Sequence, residues 1–297
     1  MITNTLGIGS GIYIGGSSGG GGINYEAEMA TAAEAYLTRI SASNATYEQA
    51  IYDWAKELGD PRLYPLIQNT LIYPCWPESE VQAIIPFFPI SGTKIASDNM
   101  YGYNSPTFSS SLGFESNGVD SCWYPPIWPT YFPNIGASIA YYWWYEYCTR
   151  KSTVTAKGGF QVNASNRTYR SGDNILASRL SLTSCPMELG ANLFTLQAED
   201  ADYNPANDSF GGKMYVGGDY DTLLDSGTGT IPSGFGSANR IFGIGAVSTT
   251  STDPEAPVMS QFSNQAISMF SFTRGGWKPV AKVYGEACDA LQSTFGR

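Results

Sequence analysis

Residues 211–247, GGKMYVGGDYDTLLDSGTGTIPSGFGSANRIFGIGAV, limit the fold more than any other stretch of the sequence. Three short runs, residues 213–216, 221–224 and 240–246, are separated by clusters of Gly, Ser, Asp and Pro. That order reads as strand, turn, strand, loop, strand. The first connection, Gly217-Gly218-Asp219-Tyr220, carries residues that tolerate the positive φ of a tight hairpin. A meander of this kind has one apolar face and cannot bury it alone, so the rest of the chain is read as its cover.

At 297 residues the chain has room for one large β domain with attachments. Hydrophobic residues make up 42%, ample for a core, whereas charged residues make up only 14%. With 33 Gly, 17 Pro and 20 Tyr, the surface is read as turns, hydroxyls, amides and aromatic edges. Such surfaces suit proteins that pack side by side in many copies, and proteins that bind glycans. A net charge of −10 argues against nucleic acid and against an anionic membrane surface as partners. No apolar run reaches the length of a membrane-spanning helix.

Histidine is absent, which removes Ser-His-Asp and Cys-His nucleophile systems along with the commonest general base and metal ligand. The five cysteines, Cys75, Cys122, Cys148, Cys185 and Cys288, form no CxxC pair and leave one over. They are read as buried reduced thiols of a chain folded in a cytoplasm. The N-terminus agrees with that reading, because no basic residue precedes Arg39 and no apolar signal core follows Met1. The Asn-x-Ser/Thr sequons at Asn44, Asn163, Asn166 and Asn207 are then chance occurrences.

Residues 1–24 alternate small apolar residues with Gly and Ser. Leu6, Ile8, Ile12 and Ile14 are candidate anchors for an extended segment docked on another protein, with residues 15–22 as a flexible tether. The plainer alternative is a solvated tail. From Tyr25 the period becomes helical, with Ala27, Ala30, Ala33, Tyr36, Leu37 and Ile40 on one face. Thr46-x-x-Gln49 reads as the capping box of a second helix that buries Ile51, Trp54, Ala55 and Leu58 and stops at Gly59. Residues 62–71 and 77–85 read as two further helical segments, the latter with Pro77 in its first turn. Residues 25–92 thus form a small helical module. It is too small to hide Trp54 and Trp76 by itself and is expected to lean on the β-rich remainder of the chain.

From residue 93 the pattern turns to β. Residues 123–147 hold eleven aromatics, and their first half, WYPPIWPTYFP, reads as a loop of exposed or half-exposed rings, because proline cannot donate to a ladder. Residues 138–147 read as a strand buried on both faces. Residues 154–162, 168–170, 174–182, 192–197 and 265–272 supply further strands at sandwich-like spacing. Residues 277–295 close the chain with an amphipathic helix whose face is Val280, Val283, Tyr284, Ala287, Cys288 and Leu291.

This order of pieces resembles a family of phage virion proteins of tails and fibres that carry a laminin-G/concanavalin-A-like jelly roll. The resemblance rests on Ala35-Tyr36-Leu37-Thr38-Arg39-Ile40 leading to Leu71-Ile72-Tyr73-Pro74, then on Asn104-Ser105-Pro106-Thr107-Phe108 and Gly113-Phe114-Glu115-Ser116-Asn117-Gly118. It continues through Met214-Tyr215-Val216-Gly217-Gly218, Leu224-Asp225-Ser226-Gly227 and Phe242-Gly243-Ile244-Gly245-Ala246 to Ala266-Ile267-Ser268-Met269-Phe270 and the closing helix. It covers residues 27–297 and brings no catalytic residues with it. The resemblance implies a mainly β chain with helical additions: a β-sandwich over residues 93–297, an N-terminal helical module and a C-terminal helix packed on the sandwich. It also implies a virion component assembled in the host cytoplasm.

Two constellations bear on activity. The acidic cluster Glu199-Asp200-Ala201-Asp202 lies in loop-like sequence and lacks the alternating Glu-x-Asp-x-Glu of glycosidases on this fold, so a carboxylate-based glycanase is the least favoured reading. Asp200, Asp202, Asn204 and Asp208 are candidate calcium ligands, oxygen donors at alternate positions without the Gly and closing Glu of an EF-hand. No other cofactor is expected. Trp123, Tyr124, Trp128 and Tyr131 are read either as a sugar-stacking platform or as an apolar interface, and the interface is favoured. The sequence therefore predicts a non-enzymatic virion component that is held by residues 1–24 to other virion proteins. It is expected to self-associate, as a trimer, and to contact a host surface glycan; a glycan-binding lectin-like module is the alternative. The thiol reading is directly checkable: titration under denaturing, non-reducing conditions should count five free thiols, and any smaller number means a disulfide.

Overall fold

The computed structural model describes residues 24–67, 70–89, 98–125, 142–153, 157–163, 166–171, 174–177, 185–186, 189–198, 209–215, 223–230, 243–250, 257–260, 262–274 and 281–297. Within them lie the helices α1 (Tyr25–Arg39), α2 (Ala45–Leu58), α3 (Tyr64–Ile67), α4 (Glu80–Ala83) and α5 (Ala281–Thr294). The first strands in chain order are β1 (Leu71–Tyr73), β2 (Tyr101–Tyr103), β3 (Thr107–Ser109), β4 (Gly113–Glu115), β5 (Cys122–Tyr124) and β6 (Tyr142–Arg150). They are followed by β7 (Lys157–Asn163), β8 (Asn166–Ser171), β9 (Asn174–Ala177), β10 (Cys185–Pro186) and β11 (Gly190–Ala198). The last are β12 (Ser209–Tyr215), β13 (Leu223–Thr230), β14 (Val247–Thr250), β15 (Val258–Ser260) and β16 (Ala266–Arg274). The fold is therefore mixed, with antiparallel sheets, substantial strand content and a few helices.

The largest sheet runs β13-β12-β11-β6-β16-β4-β3. β16 is its hub. β6 pairs along one edge of β16, while β4 (at Ala266 and Ile267) and β1 (at Phe270 to Phe272) share the other. A second sheet runs β10-β9-β8-β7-β14-β15, antiparallel except between β7 and β14. β2 and β5 form a separate two-stranded ribbon, which meets the rest through a bridge between Trp123 and Ile244.

The two long N-terminal helices begin as helix physics requires. Asn24 Oδ1 accepts the Ala27 amide at the start of α1, with Glu26 and Glu28 in the first turn and Arg39 in the last. Its buried face runs through Met29, Ala33, Tyr36 and Leu37, whereas Ala27 and Ala30 are exposed. α2 starts earlier than a Thr46 capping box would place it. Asn44 is the cap, accepting from the amides of Thr46 and Tyr47 at 3.1 and 3.3 Å. Residues 62–71 and 77–85 keep only one helical turn each. Leu71 to Tyr73 instead pair with β16, and α4 is capped by Ser79, two residues beyond Pro77.

The helices and the central sheet share one core. Trp54 and Ile51 of α2, Tyr36 of α1, Tyr145 of β6, Met269 of β16 and Tyr284, Cys288 and Leu291 of α5 are all buried in it. Trp76 lies fully buried where these elements meet, edge-on to Tyr47 and Phe295. Trp54 packs edge-on to Phe87 with centroids 4.9 Å apart, and Tyr145 packs edge-on to Tyr284 at 5.5 Å. Each such pair is worth about 0.5–1.5 kcal/mol beyond the area it buries. Polar stitches cross the same seam. Tyr284 Oη donates to Ser271 Oγ at 2.6 Å, and Arg39 Nη2 donates to the carbonyls of Pro86 and Phe87 at 2.8 Å.

The sheet also fixes two backbone details. Gly113 has φ +78, and a Cβ there would lie 2.4 Å from the Ile267 carbonyl oxygen, so the β3–β4 hairpin can press against β16 only with glycine. The β6–β16 register slips on either side of Ile267, leaving Ser268 as a bulge residue whose carbonyl accepts from Arg297 Nη1 at 3.3 Å. The same guanidinium donates to the carbonyls of Cys75 at 2.6 Å and Ser110 at 2.8 Å, which ties the end of α5 to β1 and to the β3–β4 turn.

Within residues 211–247, β12 and β13 form the expected hairpin. The partner strand, however, extends through Ser226-Gly227-Thr228-Gly229-Thr230, where the composition predicts a loop. Residues 243–246 are a bridge and a turn rather than a strand, because Gly245 takes φ +79.

The shared core generates a prediction. Trp54→Ala should cost about 3–5 kcal/mol, and a urea titration followed by helical and by aromatic signals should give one coincident transition. Two separate transitions would mean that helices and sheet stand apart.

Candidate functional site

Residues 98–125 build the one partly exposed aromatic face among the described residues that coincides with a sequence-predicted site. In β2 the side chains alternate, so Tyr101 and Tyr103 share one face of the ribbon and Gly102 occupies the other. β5 pairs antiparallel, setting Tyr124 opposite Tyr101 and Cys122 opposite Tyr103. Tyr101 stacks on Tyr124 with centroids 5.6 Å apart, and Tyr103 stacks on Phe262 at 6.0 Å. Cys122, Tyr124, Ala246 and Met259 are the buried floor, against which Tyr101, Tyr103 and Phe262 lie half-buried. Burial pushes the Cys122 thiol well above its ordinary range, which makes it a packing residue rather than a nucleophile.

Beside this face the chain turns sharply. Asn104 and Ser105 both adopt left-handed φ values, 52° and 55°, just before Pro106. Asn104 Nδ2 donates to the Asp120 carbonyl at 3.0 Å, which clamps the corner to the loop before β5. In that loop Asn117 Oδ1 accepts the amides of Val119, Asp120 and Ser121. The result is a rigid rim of amide and carboxylate groups next to flat aromatic rings. Chemically, it can stack on an apolar or sugar face and hydrogen-bond through phenols and amides.

The predicted site residues fare unequally. Trp123 and Tyr124 were expected on an exposed loop and are instead buried, at 2% and 3% exposure. The prolines begin only at Pro125, so the three residues of β5 keep their donors and pair with β2. Trp123 turns to the opposite face of the ribbon, where its ring lies 5.1 Å from Phe114 and its Nε1 donates to the Thr107 carbonyl at 3.0 Å. Trp128 and Tyr131 lie outside the described residues, as do the anchors Leu6, Ile8, Ile12 and Ile14 and the calcium candidates Asp200, Asp202, Asn204 and Asp208. Tyr101, Tyr103 and Phe262 were missed. The Tyr-Gly-Tyr alternation before Asn-Ser-Pro was the available signal for the first two, but Phe262 had none.

Among the described residues, no group of three or more His, Cys, Asp or Glu side chains is placed to hold a metal, and no helix is long and apolar enough to cross a membrane. Cys75, Cys122, Cys148 and Cys288 are buried and take part in no disulfide. No protein-family model, curated protein or solved structure matches the chain.

The two faces of the ribbon should respond differently to mutation. Trp123→Phe should lower stability by about 1–3 kcal/mol through a lost hydrogen bond and a small cavity. Tyr103→Ala, at a half-buried ring, should cost less in the same denaturant titration. The reverse order would mean that Trp123 is not buried.

Proposed function

We propose that the chain is a structural component of a bacteriophage virion, a tail or fibre protein built on a concanavalin-A/laminin-G-like β-sandwich. The observation that carries this reading is the single core joining the N-terminal helices, the wide antiparallel sheet and α5. It packs the helices and the central sheet into one body, which suits a load-transmitting role. β16 adds weight to the sandwich, because Met269 and Phe270, neighbours on opposite faces, are both fully buried. A central strand covered on both sides is what a layered β fold requires. The order of helices, strand blocks and closing helix is the one in which the sequence resembles the virion family. In this reading the protein works without catalysis, residues 1–24 bind other virion proteins, and several copies held in one oligomer multiply a weak anchor through effective concentration.

A second reading is favoured by the half-buried rings of Tyr101, Tyr103 and Phe262, the first stacked on the buried Tyr124 and the other two on each other, beside a rim of Asn and Asp. Such a face suits a glycan-binding module, and on a fibre the two roles are compatible. Deleting residues 1–20 should leave a folded, soluble protein that no longer joins particles purified from the encoding phage. Incorporation at normal copy number would reject the anchor, and failure to detect even the full chain in purified particles by mass spectrometry would reject the virion reading. A glycan array run with and without calcium tests the second reading, which fails if Tyr103→Ala leaves every signal unchanged.

A further inference from the structure

The sequence holds a single Asn-Gly pair, Asn117-Gly118, in the corner before β5, where Asn117 is exposed to solvent. Gly118 takes φ +76, a left-handed value that glycine adopts without strain, so the turn itself calls for glycine at this place. That requirement sets an unhindered backbone nitrogen next to a side-chain amide. With no Cβ on Gly118, little blocks the approach of its nitrogen to the Asn117 Cγ, which is the bond that closes a five-membered imide ring.

In the folded chain the same side-chain amide is held at both ends. Asn117 Oδ1 accepts from the amides of Val119, Asp120 and Ser121 at 2.9, 3.0 and 3.0 Å. Its Nδ2 donates to Asp120 Oδ1 at 2.8 Å. The corner is pinned from outside as well, because Asn104 Nδ2 donates to the Asp120 carbonyl at 3.0 Å. Ring closure needs Cγ to leave the plane of its amide and swing onto the Gly118 nitrogen, carrying Oδ1 and Nδ2 with it. Four hydrogen bonds oppose that swing. A reacting atom kept about 1 Å from its productive position loses on the order of a hundredfold in rate.

We propose that Asn117-Gly118 is a latent deamidation site, shut by the folded loop and exposed by its local opening, whose conversion frees the corner beside the aromatic face. In the open loop the Gly118 nitrogen loses its proton to a solvent base and bonds to Asn117 Cγ. The Cγ–Nδ2 bond breaks, and Nδ2 takes a proton from water and leaves as ammonia. Water then adds to one of the two imide carbonyls and the ring C–N bond at that carbon breaks, giving aspartate or isoaspartate. Neither product keeps an amide to donate to Asp120 Oδ1, and each sets a second carboxylate against the first. Isoaspartate also lengthens the main chain by one methylene, which takes its carboxylate away from the three amides that Oδ1 holds. The clamp between Asp120 and Asn104, next to Tyr103, loses its support.

The test is a peptide map of the full chain during incubation in mildly alkaline buffer, with and without urea. Conversion changes the mass of the peptide containing residue 117 by the difference between NH2 and OH. It should run at least about tenfold slower in the native chain than in urea, because only opened molecules react. Asp120→Ala, at an exposed position, removes the acceptor of Nδ2. It should speed conversion of the native chain severalfold and leave the rate in urea unchanged. Equal rates with and without urea, a native rate that Asp120→Ala does not alter, or an Asn117 that stays intact in urea each overturn the proposal. Should the variant fail to fold, the comparison of native and urea-treated chain still decides. Within one aged native sample, the converted peptide and its unconverted twin separate after hydrogen exchange. The amides of residues 119–121 should exchange on the order of tenfold faster in the converted form. Equal exchange would mean that the corner is not freed, and the proposal fails on that ground too.

Discussion

Strand β16 carries unpaired polar groups along two edges and apolar side chains on two faces, and each of these needs is met by a different part of the chain. β6 closes one edge, and β4 and β1 divide the other. Met269 enters the helical core, where Tyr284 of α5 also reaches Ser271. Every backbone group left unpaired in so buried a strand would cost about as much as a lost hydrogen bond, so no partner is dispensable. The register of β1 on β16 joins Leu71 to Phe272, which makes the helical segment part of the sheet's closure rather than an appendage.

Local irregularities serve that closure. The bulge at Ser268 frees a carbonyl for Arg297, and Gly113 lets the β3–β4 hairpin approach the same point of β16. Cys75 takes a left-handed φ of 59°, a costly conformation for a residue with a side chain, and its carbonyl is held by Arg297 at 2.6 Å. A strained residue persists where its surroundings over-determine it, and here the Arg297 guanidinium, the Pro74 carbonyl held by Gln292, and Trp76 supply the constraint. On the far side of β4, Ser116 and Glu115 connect the sheet to the turn at Gly245 and to Arg150, so the aromatic ribbon is braced by the same strand pairings.

Much of this was legible in the residues where the pattern is local. Tyr284, Ala287, Cys288 and Leu291 share a helical stripe, and all four are buried. Ile51, Trp54, Ala55 and Leu58 behave the same way in α2. β7, β8, β9 and β11 overlap the strands expected at residues 154–162, 168–170, 174–182 and 192–197, whereas the two-residue β10 had no signal. The failures are equally specific. The one-turn α3 and α4 look helical in sequence because apolar spacing over so few residues cannot separate a helix from a strand that is buried on both faces, as Leu71 to Tyr73 proved to be. Asn44 passed as a chance sequon, although an Asn just before an apolar period is also a preferred cap. The Gly-rich end of β13 reads as loop by propensity, and its antiparallel pairing with β12 overrides that preference.

The sequence by itself determined which chemistry was open to this protein and which faces its elements had to bury. Without histidine there is no imidazole chemistry, and one-sided helices beside two-sided strands require a layered core. Only the tertiary structure decided which faces meet. The burial of Trp123 against Phe114, the half-buried stacking of Tyr103 on Phe262 and the grip of Arg297 on Cys75 and Ser110 all join residues distant in sequence. Periodicity reports that a side chain must be covered. It carries no information about the covering partner, because that choice is made by the geometry of pairing across the whole chain.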